Sequence, residues 1–327
     1  MSNASQISEV ERQRALFYGQ QGMVMSATIR IDRTPGKWIV AYDPKYPPHI
    51  YFDTNVWIGM SEEDVTSLRN VQEKFGFVYC YSVTNFIELC SHLEDKPAVS
   101  NSNPFTIYRS CFRKIIDLCS PQILPSPEME FMSEAGLDKY IDSAWVPNID
   151  QIAFAVELIA NAKNPDELAA INPSHYRILR DIDARSMQTI MKGLQKFSRP
   201  LNSEDVDNGL YHWFIELADF FLLRRPSNEK ININRLTKEE QTRFVTTLSE
   251  DGGRMFQTHC ISLVKKTIND GRNIDPNDLY DMLQLILLCG KNRLFVSDEK
   301  AFFHYEVADA PELQRVLYWG QFRQMVV

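Results

Sequence analysis

The sequence predicts an α/β fold, a parallel sheet covered by helices and interrupted by a large all-helical insertion. Three observations predict it. Short apolar runs at His49–Phe52 and Phe77–Tyr81 are each followed by a helical pattern. The strand signal nearly vanishes over residues 101–269. It returns with an apolar helix over Pro276–Cys289 and a strand over Arg293–Val296.

In chain order, residues 5–20 read as a short polar helix. Residues 23–31 and 37–42 read as two strands joined at Thr34-Pro35-Gly36, a hairpin turn. Lys45-Tyr46-Pro47-Pro48 is a stiff connector. The first core strand ends at Asp53. Ser61-Glu62-Glu63-Asp64 opens the next helix with a capping-box pattern. The second strand leads into a helix over Ser82–Leu93 that carries Glu88. Helices follow near 104–119, 129–143, 149–162, 173–197, 204–225, 237–249 and 254–269. After the strand that precedes Ser297-Asp298, Val316–Trp319 offers a late strand. The predicted organisation is therefore an N-terminal helix and hairpin extension (1–47), an α/β core (48–100 and 270–327) and a helical insertion (101–269).

The 327 residues are enough to bury a core without staples. Hydrophobic residues make up 44% and charged residues 24%, ordinary for a globular chain. No apolar run approaches the roughly 18 residues that would suggest a membrane span. The N-terminus lacks a basic-then-apolar signal pattern. The six cysteines (Cys80, Cys90, Cys111, Cys119, Cys260 and Cys289) show no metal spacing, which suits buried thiols in a reducing cytoplasm. A net charge of −8 argues against coating nucleic acid by bulk electrostatics. Any nucleic-acid chemistry must rest on a local site.

Carboxylates supply the candidate site. Asp53 and Asp298 both end strands, where open α/β sheets place ligands. Glu88 lies within a helix, and Asp278 and Asp281 lie near the start of another. Mg²⁺ and Mn²⁺ prefer such oxygen ligands. They neutralise a phosphodiester and lower the pKa of bound water. Each acid also has a plainer reading. A strand-end Asp is commonly a turn or cap residue. Asp275 suits an N-cap, with Pro276 at N1 and Asp278 at N3, where an acid favours the helix dipole. Glu88 suits a solvated helix position, and His92 an exposed lone histidine. Asp281, one turn deeper on an apolar helix, is harder to explain as a cap.

The ordered segments resemble the PIN-domain, or PIN-like, metal-dependent ribonuclease family. Ile50-Tyr51-Phe52-Asp53-Thr54-Asn55-Val56-Trp57-Ile58 resembles its opening motif. Ser82-Val83-Thr84-Asn85-Phe86-Ile87-Glu88-Leu89 resembles the second, a strand leading to a helical Glu. Asn277-Asp278-Leu279-Tyr280-Asp281-Met282-Leu283 resembles the third. Leu294-Phe295-Val296-Ser297-Asp298-Glu299-Lys300-Ala301-Phe302 resembles the fourth. The large insertion, the N-terminal hairpin and the direct Ser297-Asp298 step depart from compact members.

The resemblance implies a PIN-like three-layer core in which Asp53, Glu88, Asp281 and Asp298 bind Mg²⁺ or Mn²⁺. Asp278 is the alternative third acid; spacing to Asp298 favours Asp281. Asn55 and Ser297 would hold a carboxylate or a phosphate oxygen. The implied activity is endoribonuclease hydrolysis of single-stranded or structured RNA by a metal-activated water, leaving 5′-phosphate and 3′-hydroxyl ends. Toxin, RNA-processing and defence roles are open, as are an antitoxin or other protein inhibitor and a homodimer.

Two other classes compete. One is a non-catalytic PIN-like scaffold that binds protein through the helical region. The other is a phosphatase of the haloacid-dehalogenase type, which would need a second acid where Asn55 stands. Arg109, Arg113, Lys114, Arg177, Arg180 and Arg224-Arg225 are candidate phosphate contacts, with solvated helix faces as the plainer reading. Trp213 and Phe214 read as core.

Overall fold

The structure is a computed structural model. It describes residues 30–32, 39–43, 45–96, 103–119, 122–140, 148–182, 236–250, 276–290, 292–299 and 315–326, with a few positions between them. The predicted polar helix over 5–20, the Thr34-Pro35-Gly36 turn, the helix over 204–225, Asp275 and Arg224-Arg225 lie outside the described residues. So do Trp213 and Phe214.

Strands β1 (Arg30–Asp32) and β2 (Ile39–Ala41) pair antiparallel as a separate two-stranded ribbon. The chain then enters β3 (His49–Phe52), α1 (Thr54–Gly59), α2 (Glu62–Phe75), β4 (Val78–Ser82), α3 (Val83–Ser91), α4 (Pro104–Cys119) and β5 (Ile123–Leu124). Next come α5 (Pro127–Glu134), α6 (Ile149–Asn161), a helix over 173–182, α7 (Lys238–Ser249) and α8 (Pro276–Ile286). The chain closes with β6 (Arg293–Ser297), β7 (Val316–Tyr318) and α9 (Trp319–Val326).

β3 to β7 form one five-stranded sheet in the order β5-β4-β3-β6-β7, with every pairing parallel. The predicted α/β class with a parallel sheet is therefore present. All residues of β6, and all but the first of β3 and β4, are buried. That is the pattern of parallel strands covered by helices on both faces. Phe52 shows how the core is filled. Its ring meets Trp57 edge-on at 5.1 Å and approaches Tyr79 at 5.6 Å.

Two compact units emerge. The sheet unit takes in Ala15–Pro125, Pro147–Arg180 and Lys291–Val327. The other takes in Met1–Arg14, Ser126–Val146 and Asp181–Gly290, and its described elements are helical. These boundaries cut across the predicted insertion at 101–269. Ile123–Leu124 is also a strand inside the stretch read as all-helical. Two residues are too few to show alternation, so its only signal is its pairing with Tyr81 and Ser82.

Candidate metal centre

β3 is the first core strand and has β4 on one side and β6 on the other. The chain order therefore reverses across β3, which makes the carboxyl ends of β3 and β6 a topological switch point. The register places Phe52 beside Val296, and the Asp53 N–H donates to the Val296 carbonyl at 2.8 Å. Asp53 and Ser297 thus meet at adjacent strand ends.

Asp53 is buried and extended (φ −61°, ψ 153°), the geometry of an N-cap, and it opens α1. Its Oδ1 accepts from the Thr54 N–H at 2.7 Å. Its Oδ2 accepts from the Ser297 hydroxyl at 2.7 Å. Ser297 Oγ in turn accepts from the Glu299 N–H at 2.9 Å. One hydroxyl therefore ties the end of β6 to the first acid.

Glu88 comes from the neighbouring strand–helix step. Ser82 ends β4 and caps α3, with Asn85 completing a capping box. Glu88 follows Asn85 by three positions, so both lie on one face of α3. Glu88 is buried, not solvated, and its Oε2 accepts from the Thr54 hydroxyl at 2.5 Å. Thr54 Oγ1 accepts from Asn85 Nδ2 at 3.0 Å. Burial raises the Glu88 pKa to about 7; the Asp53 charge adds to the rise, while the Thr54 hydrogen bond and Arg180 oppose it.

Asp298 follows β6 directly and is exposed. Its charge, and then a hydrogen bond to it, raise the Tyr318 hydroxyl at the end of β7. Asn55 is exposed on α1, and the residue that joins the two buried acids is Thr54, one residue earlier, through its backbone N–H to Asp53 and its hydroxyl to Glu88. Asp278, buried, and Asp281, half-buried, lie on α8 in the helical unit. The structure thus brings together Asp53, Glu88 and Ser297, with Asp298 at the same sheet edge. Sequence reasoning left out Thr54 and Asn85. Among the described residues, no three His, Cys, Asp or Glu side chains gather as a metal-binding group.

The donor chemistry nevertheless fits a hard divalent cation. Two buried carboxylates of like charge interact, and both offer oxygen donors. Mg²⁺ commonly takes only one or two carboxylates and fills its remaining positions with water and phosphate oxygens.

Four of the candidate phosphate contacts, Arg109, Arg113, Lys114 and Arg177, are engaged with backbone carbonyls. Arg109 donates to the Ala162 carbonyl at 2.6 Å and Arg113 to the Ala160 carbonyl at 2.9 Å, at the end of α6. Buried Lys114 donates to the Trp57 carbonyl at 3.0 Å. Arg177 donates to the Ser91 carbonyl and to Asp95. His92, expected to be exposed, is half-buried; it bonds Asp95 through Nδ1 and stacks on Tyr108. Its Nε2 meets Arg180 at 2.6 Å. Five cysteines are free and buried, and Cys260 lies outside the described residues. No helix among the described residues is long and apolar enough to cross a membrane. Compared with known protein families, curated protein sequences and solved structures, the chain matches none.

Proposed function

We propose that this chain is a PIN-like, Mg²⁺- or Mn²⁺-dependent endoribonuclease. The carrying observation is the pair of buried carboxylates, Asp53 and Glu88, at the switch point of a parallel sheet. Asp53 and Glu88 would hold the ion, with exposed Asp298 at the same edge to complete the set or face the substrate. When bound, the ion would neutralise the phosphodiester and supply a hydroxide-like nucleophile near neutral pH.

The protein's own part is positional. The Ser297 hydroxyl and the Thr54 N–H fix the Asp53 carboxylate in one orientation. The Thr54 hydroxyl fixes Glu88. Preset carboxylates need no reorganisation when an anionic substrate arrives. The sheet edge leaves Asp298 accessible to solvent, as a macromolecular substrate requires.

Cleavage of a labelled single-stranded RNA in Mn²⁺, Mg²⁺ and EDTA tests the reading. Wild type should cleave with either metal and stop in EDTA. Asp53→Asn should lose at least about 100-fold in rate, the order expected for removing an electrostatic catalytic group. Folded wild type that neither cleaves RNA nor binds Mn²⁺ would overturn the nuclease reading in favour of a non-catalytic scaffold.

A further inference from the structure

We propose that Thr54 and Asn85 form a directional hydrogen-bond relay that positions Glu88 as a metal ligand. This rests on the nuclease reading above. The relay follows from counting protons. Asn85 Oδ1 receives the Ser82 N–H at 3.0 Å and lies 3.0 Å from the Ser82 hydroxyl. The backbone N–H can only donate, so the amide oxygen of Asn85 must face Ser82. That fixes the amide orientation without ambiguity. Asn85 Nδ2 then points at Thr54 Oγ1, 3.0 Å away, and can only donate.

The Thr54 hydroxyl has one proton. Nδ2 of Asn85 and an ionised Glu88 leave it one acceptor to serve, so that proton is directed to Glu88 Oε2 at 2.5 Å whenever Glu88 is charged, the form that holds a metal. Asn85, Thr54 and Glu88 are all buried, so bulk water does not readily replace a lost link. The relay runs from the end of β4 to the start of α1 and back to α3. It therefore locks the second acid to the strand–helix step that carries the first. Glu88 Oε1 takes no part in this chain of bonds and would be the oxygen left to hold an ion. Thr54 and Asn85 are positioning residues; neither is assigned contact with the reacting atoms.

A merely structural role and a positioning role differ in a measurable way. A structural Thr54 would change melting temperature but leave the Mn²⁺ affinity of the folded protein alone. The test is Mn²⁺ calorimetry on full-length wild type, Thr54→Val, Thr54→Ser and Asn85→Asp, each checked for folding by circular dichroism. Val keeps the shape of Thr and removes the hydroxyl. Ser keeps the hydroxyl. Asp at 85 accepts where Asn85 donates and so reverses the relay.

Thr54→Val and Asn85→Asp should bind Mn²⁺ about 10- to 100-fold more weakly, the range for ligand-orienting groups. Thr54→Ser should stay within about threefold of wild type, by the same reasoning. If Thr54→Val folds and binds like wild type, the relay is wrong and the nuclease reading stands. If Thr54→Val does not fold, Asn85→Asp against Thr54→Ser decides by the same criterion. If wild type binds no Mn²⁺, both the relay and the metal centre fail.

Discussion

Glu88 is a carboxylate held in a place that disfavours its charge. Its pKa stands at about 7 in the folded protein, against an ordinary 4.5. The folded state therefore binds one proton more than the unfolded chain across that window. Its stabilising contribution is fully present below pH 4.5 and is lost as pH rises to about 7. The loss approaches about 3 kcal/mol. Metal-free wild type should thus melt at progressively lower temperature from pH 5 to 7.5. Glu88→Gln, which can still accept from Thr54, should flatten that profile; an unchanged profile would remove Glu88 as its source. Asp53 and Ser297 were legible in the sequence because each ends an apolar run. Thr54 and Asn85 were not, because short polar side chains at helix starts read as caps, and Asn85 is one. Their second bonds cross between elements, which spacing does not encode. His92 was misjudged for the same reason: Asp95 is local, but Tyr108 and Arg180 are distant in sequence.

At the scale of elements, cations serve as helix caps. Arg109 and Arg113 satisfy carbonyls at the end of α6, where cations also suit the helix dipole. Replacing either with Ala should lower unfolding stability by about 1–3 kcal/mol. RNA affinity should not change, whereas a phosphate-contacting arginine would show the reverse pattern. The start of α2 is similarly fixed. Ser61 and buried Asp64 close a capping box, and Arg323 of α9 donates to Asp64 at 2.5 Å. Ser61→Ala should cost about 1 kcal/mol in chemical denaturation. The Ser61–Asp64 cap was visible in the sequence, because capping is local. The strands of the sheet were visible too, except β5, whose two residues gain meaning only from β4. Arg323 was not visible, since its partner lies across the whole chain.

At the scale of the molecule, the parallel sheet brings two distant parts of the sequence, 49–52 and 293–297, into adjacent strands. That reunion was readable because α/β patterning stops and then resumes. The division into units was not, since α4, β5 and α6 join the sheet unit while reading as part of a helical run. The net charge of −8 also sets an expectation for binding. RNA affinity should fall with salt only shallowly, with a log–log slope smaller in magnitude than about 3, as for a few phosphate contacts. A slope several times steeper would indicate an extended basic surface. The most direct test of the metal centre is an anomalous difference map from crystals soaked in Mn²⁺. The account predicts a peak within about 2.5 Å of carboxylate oxygens of both Asp53 and Glu88. An ordered Asp53–Glu88 pair with no peak, or Mn²⁺ bound only elsewhere, would contradict it.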